Sequence, residues 1–120
     1  GSRRIPAMRR TPRTRLLPLP MRRGEVWQYS GLLGRRGQSD KRLVVSADLI
    51  NESEDVPTCY ALHVLDSNPQ SLLAVETPWG WASVLLLDRP PRSMLTERLG
   101  EASSEQMDAV DNALRAVLDL

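Results

Sequence analysis

The chain is expected to fold as a small, mainly β domain, a curled sheet or small barrel with one C-terminal helix packed on it. Three observations predict this. Short runs rich in Val, Leu and aromatic residues recur between turn-forming clusters, the pattern of successive strands. Apolar residues at helical spacing appear only after residue 103. A length of 120 residues, 41% of them apolar, suits one domain with a modest core and leaves no room for a second.

Gly24 to Ser30 (GEVWQYS) alternates in part and holds Val26, Trp27 and Tyr29, so it reads as the first strand. Gly31 to Lys41 mixes Gly31, Gly34 and Gly37 with Arg35 and Arg36, the composition of a polar loop. Arg42 to Ala47 is the second strand. Asn51 to Pro57 (NESEDVP) is an acidic, solvated loop, and Thr58 to Leu65 is a third, central strand. The turn cluster Asp66 to Gln70 leads to a fourth strand at Leu72 to Thr77. Pro78-Trp79-Gly80 then turns the chain into Trp81 to Asp88. Within it Val84, Leu85, Leu86 and Leu87 form an apolar run expected to be buried on both faces. Pro90 and Pro91 forbid that ladder from continuing. Leu95 to Leu99 is a short last strand.

Ser103 and Gln106 have the spacing of a capping box, in which each side chain satisfies the other residue's orphan N–H. Met107, Val110, Ala113, Leu114, Val117 and Leu118 then form one apolar stripe, and Glu105 near the start suits the helix dipole.

The net charge of +1 conceals an asymmetry. Six arginines and no acid fall within residues 1–20, leaving ten cationic residues against fifteen acidic ones, a net of −5, in the body. Residues 1–20 therefore read as a flexible basic arm ahead of a domain at 21–120. Gly1-Ser2 resembles a cloning remnant, and Met8 and Met21 are both candidate starts. An acidic body argues against a broad phosphate-binding surface, so local arginines would have to hold any nucleic acid. Cys59 is the sole cysteine, which excludes an intrachain disulfide and points to a reducing, cytoplasmic setting. One Cys and one His make a protein-only zinc site improbable, and no cofactor motif is present. No apolar run approaches a membrane span.

Chemistry must then come from polar side chains at strand ends and in loops: Arg35, Arg36, Lys41, Arg42, His63, Asp66, Ser67, Asp88, Arg89 and Arg92. Asp88, at the end of an apolar strand and flanked by arginines, suits acid–base work on an anion; it equally suits a salt bridge that ends a strand. Cleaving RNA without a metal needs a base for the 2′-hydroxyl, an acid for the leaving oxygen and cations for the phosphorane. His63 has a fitting pKa range, but Leu62 and Val64 flank it, so a structural role competes. Trp79 and Trp81 either stack single-stranded bases or cover a core edge.

From Met21 onward the chain resembles the MazF/PemK/Kid toxins of toxin–antitoxin systems. Arg23-Gly24-Glu25-Val26-Trp27 is similar to that family's opening strand. Leu43-Val44-Val45-Ser46 with Asp48 and Asn51, Leu87-Asp88-Arg89-Pro90-Pro91-Arg92-Ser93, and Leu95 to Gly100 followed by SSEQMDAVDNAL are similar to its later segments. The resemblance implies an SH3-like barrel of the CcdB/MazF type and a homodimer. It implies metal-independent cleavage of single-stranded RNA at short sequences and inhibition by a cognate antitoxin. Of the residues that family uses, the resemblance carries over Asp88, the aspartate at this strand end. On that basis Asp88 is expected to act as the base or orient it, Arg42 to neutralise the phosphate and Ser67 or His63 to supply a proton, with Arg35, Arg36, Lys41, Arg89, Arg92, Trp79 and Trp81 contacting RNA. Where the family has an arginine before the second strand this chain has Asp40, and where it has a threonine after the third this chain has Leu65. These departures favour an alternative, a catalytically silent relative that acts by binding a protein. RNA binding through the basic arm alone is a third possibility.

Overall fold

A computed structural model describes residues 20–31 and 39–120. The basic arm, apart from Pro20, lies outside the described residues, as do Arg35 and Arg36. Six strands follow in chain order: β1 (Glu25–Tyr29), β2 (Lys41–Val44), β3 (Ala61–Leu65), β4 (Ala74–Thr77), β5 (Gly80–Asp88) and β6 (Leu95–Glu101). They form one antiparallel sheet in the order β4-β5-β3-β2-β1-β6. A single helical turn, α1 (Asp48–Asn51), follows β2, a 3₁₀ turn spans Arg92–Met94, and helix α2 (Ser104–Leu118) closes the described chain.

Strand alternation divides the side chains between two faces. Val26, Leu43, Leu62, Val64, Ala82 and Val84 turn to one face and pack with Met107, Val110 and Ala113 of α2. Met21, Trp27, Val44, Cys59 and Leu95 form a smaller cluster on the other. The capping box of α2 is complete: the Gln106 N–H donates to Ser103 Oγ at 3.1 Å, and the Ser103 N–H to Gln106 Oε1 at 2.8 Å. The end of the predicted stripe, Val117 and Leu118, is exposed.

The sheet curls but its ladder does not close, since β4 and β6 are not hydrogen-bonded to each other among the described residues. The gap is bridged by a side chain. Trp79, in the β4–β5 turn, lies so close over Gly100 of β6 that a Cβ there would meet its ring at 2.0 Å. Trp79 thus belongs to the helix-side core, and Gly100 leaves the space its indole fills.

One sequence expectation needs correction. Leu85, Leu86 and Leu87 are 59%, 40% and 41% exposed, so the apolar run of β5 is not buried on both faces in this chain. The cause is a slip in the ladder. Leu62 pairs with Leu87, but the next residue, His63, pairs with Ser83, leaving Val84 to Leu86 without partners on β3. Val84 turns back into the core and donates to the Leu73 carbonyl at 2.9 Å, and the leucines face outward.

The segments that carried the family resemblance hold the fold together. Glu25 accepts from the Arg22 N–H at 2.8 Å, Trp27 Nε1 at 3.1 Å and Arg98 Nε at 2.6 Å. Burial pushes its pKa up, but these donors outweigh burial and hold it below the usual glutamate value. Asn51, wholly buried, exchanges hydrogen bonds with Ser46, and Asp48 accepts from the Arg23 N–H at 2.7 Å.

Candidate active site

Arg42 and His63 are cross-strand partners on β2 and β3, and Asp88 pairs with Ala61, two residues from His63 on the same face. The sheet therefore gathers the three on the face opposite α2. Arg42 Nε donates to Asp88 Oδ2 at 3.3 Å, and His63 Nε2 lies 3.6 Å from the same oxygen, beyond hydrogen-bond length. The Arg89 N–H fixes the second oxygen, Oδ1, at 2.8 Å.

The three groups differ in access. The Arg42 side chain is 2% exposed, whereas that of Asp88 is 38% exposed and that of His63 is 16% exposed. Arg42 is held on all sides: its Nη1 donates to the carbonyls of Ser39 (2.6 Å) and Lys41 (3.0 Å), and its Cζ sits 4.0 Å from the centroid of the Tyr29 ring. It fixes the carboxylate from behind, and the parts of the cluster that solvent reaches belong to Asp88 and His63. Tyr29 was not singled out from the sequence. The signal was available, since Tyr29 lies two residues from Trp27, the cross-strand partner of Arg42, and so shares its face.

Burial pushes the His63 pKa down from the ordinary 6.5, the Arg42 charge pushes it further, and Asp88 only partly opposes both. At neutral pH the imidazole is therefore uncharged and able to accept a proton.

The remaining predicted residues separate into groups. Arg89 is exposed, beside Asp88, and has no ion-pair partner among the described residues. Lys41 lies one residue from Arg42, 3.2 Å from Asp40 and 3.7 Å from Asp66. Ser67 is exposed beyond the end of β3, six positions from Ala61, the partner of Asp88. At a rise of about 3.3 Å per residue, the four steps from Ala61 to Leu65 alone carry the strand ~13 Å from Asp88. Arg92 is buried, with its guanidinium donating to the carbonyls of Ser53, Val56 and Asn51. Trp79 fills the seam described above. Trp81 is partly exposed on the same face as His63, paired with Leu65 and Glu76. Burial pushes the Cys59 thiol up to about 11, which leaves it unreactive at neutral pH.

Among the described residues no group of three or more His, Cys, Asp or Glu is placed to hold a metal ion, and no helix is long and apolar enough to cross a membrane. A pocket of about 260 Å³ lies at Met21, Arg22, Asn51, Glu52, Glu54 and Arg92, but none of Arg42, His63 or Asp88 lines it.

No family model matches the chain, and no curated protein matches its sequence. Its fold, however, is that of several solved structures. An endoribonuclease in complex with its cognate antitoxin from Mycobacterial species superposes with a TM-score of 0.70 at 20% identity, covering 83% of this chain and 96% of that one. A MazE–MazF complex from Deinococcus radiodurans gives 0.68 at 22% identity, with 85% and 99% covered. MazF alone from the same organism gives 0.69 at 20% identity, with 85% and 98% covered. The chain thus has the MazF-type fold over nearly the full length of these proteins.

Proposed function

From this shared fold we propose that the chain is the toxin of a toxin–antitoxin pair, a metal-independent endoribonuclease that cleaves single-stranded RNA in the cytoplasm. A cognate antitoxin inhibits it, and a second copy of the chain completes the working homodimer. The observation that carries the reading is the open side of the Arg42–His63–Asp88 cluster. A neutral histidine and a partly exposed carboxylate stand together on the face opposite α2, beside the smaller apolar cluster. Proteins of this fold named as endoribonucleases supply the reaction class.

In the proposed step His63 takes the proton of a 2′-hydroxyl, and the oxygen attacks the adjoining phosphorus. The bond between phosphorus and the 5′-oxygen breaks, giving a 2′,3′-cyclic phosphate and, once protonated from solvent, a 5′-hydroxyl. Asp88 faces the imidazolium as it forms, at the 3.6 Å seen in the structure, and stabilises it. Arg89 is the exposed cation nearest the carboxylate in sequence and offsets the charge of the phosphorane. Arg42 acts through Asp88, as a positioning residue.

The test is incubation of the purified chain with mixed-sequence single-stranded RNA in excess chelator. Fragments ending in cyclic phosphate are expected, and loss of cleavage in both Asp88→Ala and His63→Gln. Absence of cleavage by the wild type, or full cleavage by both variants, rejects the proposal.

A second reading is a silent relative that acts by binding a protein. Asp40 and Leu65 at the positions of the family's arginine and threonine favour it, as does the exposed run Leu85–Leu86–Leu87. A stable protein complex with RNA left intact would select it.

A further inference from the structure

The structure separates two tryptophans that the sequence left equivalent. Trp79 fills the gap between the β4–β5 turn and β6, against Gly100. Trp81 turns to the opposite face, since its neighbour Ala82 and the cross-strand partner of Ala82, Val75, belong to the helix-side core. On that face Ser83 is the partner of His63, and Trp81 is the next residue along. Trp81 and His63 are therefore diagonal neighbours, about 7–8 Å apart at the backbone. On its other side Trp81 is paired directly with Glu76, which is exposed and has no ion-pair partner among the described residues.

We infer that Trp81 and Glu76 form a guanine-binding subsite for a nucleotide adjoining the reacting phosphate. The inference rests on the ribonuclease reading for its substrate and on the chemistry of the pair for the base. An indole stacks on any base, and so supplies affinity without choice. The choice comes from the carboxylate, which when ionised only accepts hydrogen bonds. Guanine alone presents two adjacent donors on its Watson–Crick edge, N1–H and the N2 amino group, matching the two oxygens of a carboxylate. Adenine and cytosine each place a ring acceptor beside their amino donor, where it repels the carboxylate. Uracil flanks its single donor with two carbonyls.

Two measurements test this and distinguish it from the proposed cleavage. The first uses 2′-O-methyl oligouridines, which lack the attacking hydroxyl, with one central guanine, inosine, adenine or cytosine; binding is read by fluorescence anisotropy of an end label. The guanine oligomer is expected to bind at least roughly tenfold tighter than those with adenine or cytosine, with inosine, lacking the amino group, between them. In Glu76→Gln this order collapses, and Trp81→Leu weakens every oligomer. Equal binding of all four oligomers by the wild type, or an undiminished guanine preference in Glu76→Gln, overturns the inference. The second maps cleavage sites on mixed-sequence RNA. Cleavage without guanine beside the cut removes the subsite and leaves the nuclease. Selective binding without any cleavage removes the nuclease and keeps the subsite.

Discussion

Arg42 and Arg92 are both almost wholly buried, at 2% and 4% exposure, yet their surroundings differ in kind. Arg92 faces backbone: the carbonyls of Asn51, Ser53 and Val56 converge on it and tie the acidic loop to the 3₁₀ turn that follows β5. Arg42 faces a carboxylate that is itself half open to solvent, with a neutral histidine beside it. A cation whose two terminal nitrogens are held by carbonyls acts as a clamp, even with its Nε left without a partner among the described residues. A cation that holds a reachable carboxylate shapes the field at a surface where a ligand can arrive. Burial alone does not separate structure from function; what the buried group is bonded to does.

The largest expected effect lies on the Arg42 side. His63→Gln should lower RNA cleavage by about 10²–10⁴-fold, the usual range for a group moving a proton in the transition state, and Asp88→Ala should lower it by removing the charge that stabilises the imidazolium. Thermal unfolding of His63→Gln should stay close to that of the wild type, and a parallel loss of stability and cleavage in it would place His63 with Arg92 instead. Asp88→Ala leaves the buried Arg42 guanidinium without its carboxylate and should also lower stability, so its cleavage is compared per folded molecule.

The reverse pattern is expected at the clamp. Arg92→Met leaves three carbonyls without their donor and should cost roughly 2–4 kcal/mol in denaturant unfolding. Residual folded protein should still cleave RNA, which a role for Arg92 at the phosphate would forbid. The seam is a third point of comparison. Gly100→Ala drives a methyl group into the Trp79 ring and should destabilise the fold by about 1–3 kcal/mol, without altering cleavage per folded molecule.

Much of this was legible in the sequence because it is local. Strand alternation, turn clusters and the Ser103–Gln106 spacing are set by residues a few positions apart, and the structure reproduces them with shifts of one to three residues at strand ends. The segments that carried the family resemblance are legible for the same reason. Glu25, Asp48 and Asn51 fasten the curled sheet, so those motifs speak for the fold rather than for chemistry. What escaped the sequence is non-local. The Leu85–Leu87 exposure follows from a register slip against β3, which an apolar run does not announce. The division of labour between Trp79 and Trp81, and between Arg42 and Arg92, depends on partners far away in the chain, such as Gly100 and Asp88. Of the candidate site, Asp88, Arg42 and His63 were each legible as polar residues on or at the end of apolar strands, whereas their meeting on one face and the burial of Arg42 behind Asp88 were not.

The smallest expected shift is also the most diagnostic, because His63 is the sole histidine of the chain and its imidazole can be followed by itself. Burial first and the Arg42 charge second hold its pKa below 6.5, so the base form persists into mildly acidic solution. The central measurement is the pH dependence of single-turnover RNA cleavage, set beside the NMR titration of that imidazole, in wild type and Arg42→Gln. Cleavage should rise with pH through the His63 titration point, below 6.5, and both curves should move to higher pH together when the Arg42 charge is removed. A cleavage profile that ignores the imidazole titration, or that stays in place when the titration moves, would contradict the assignment of this cluster as the active site.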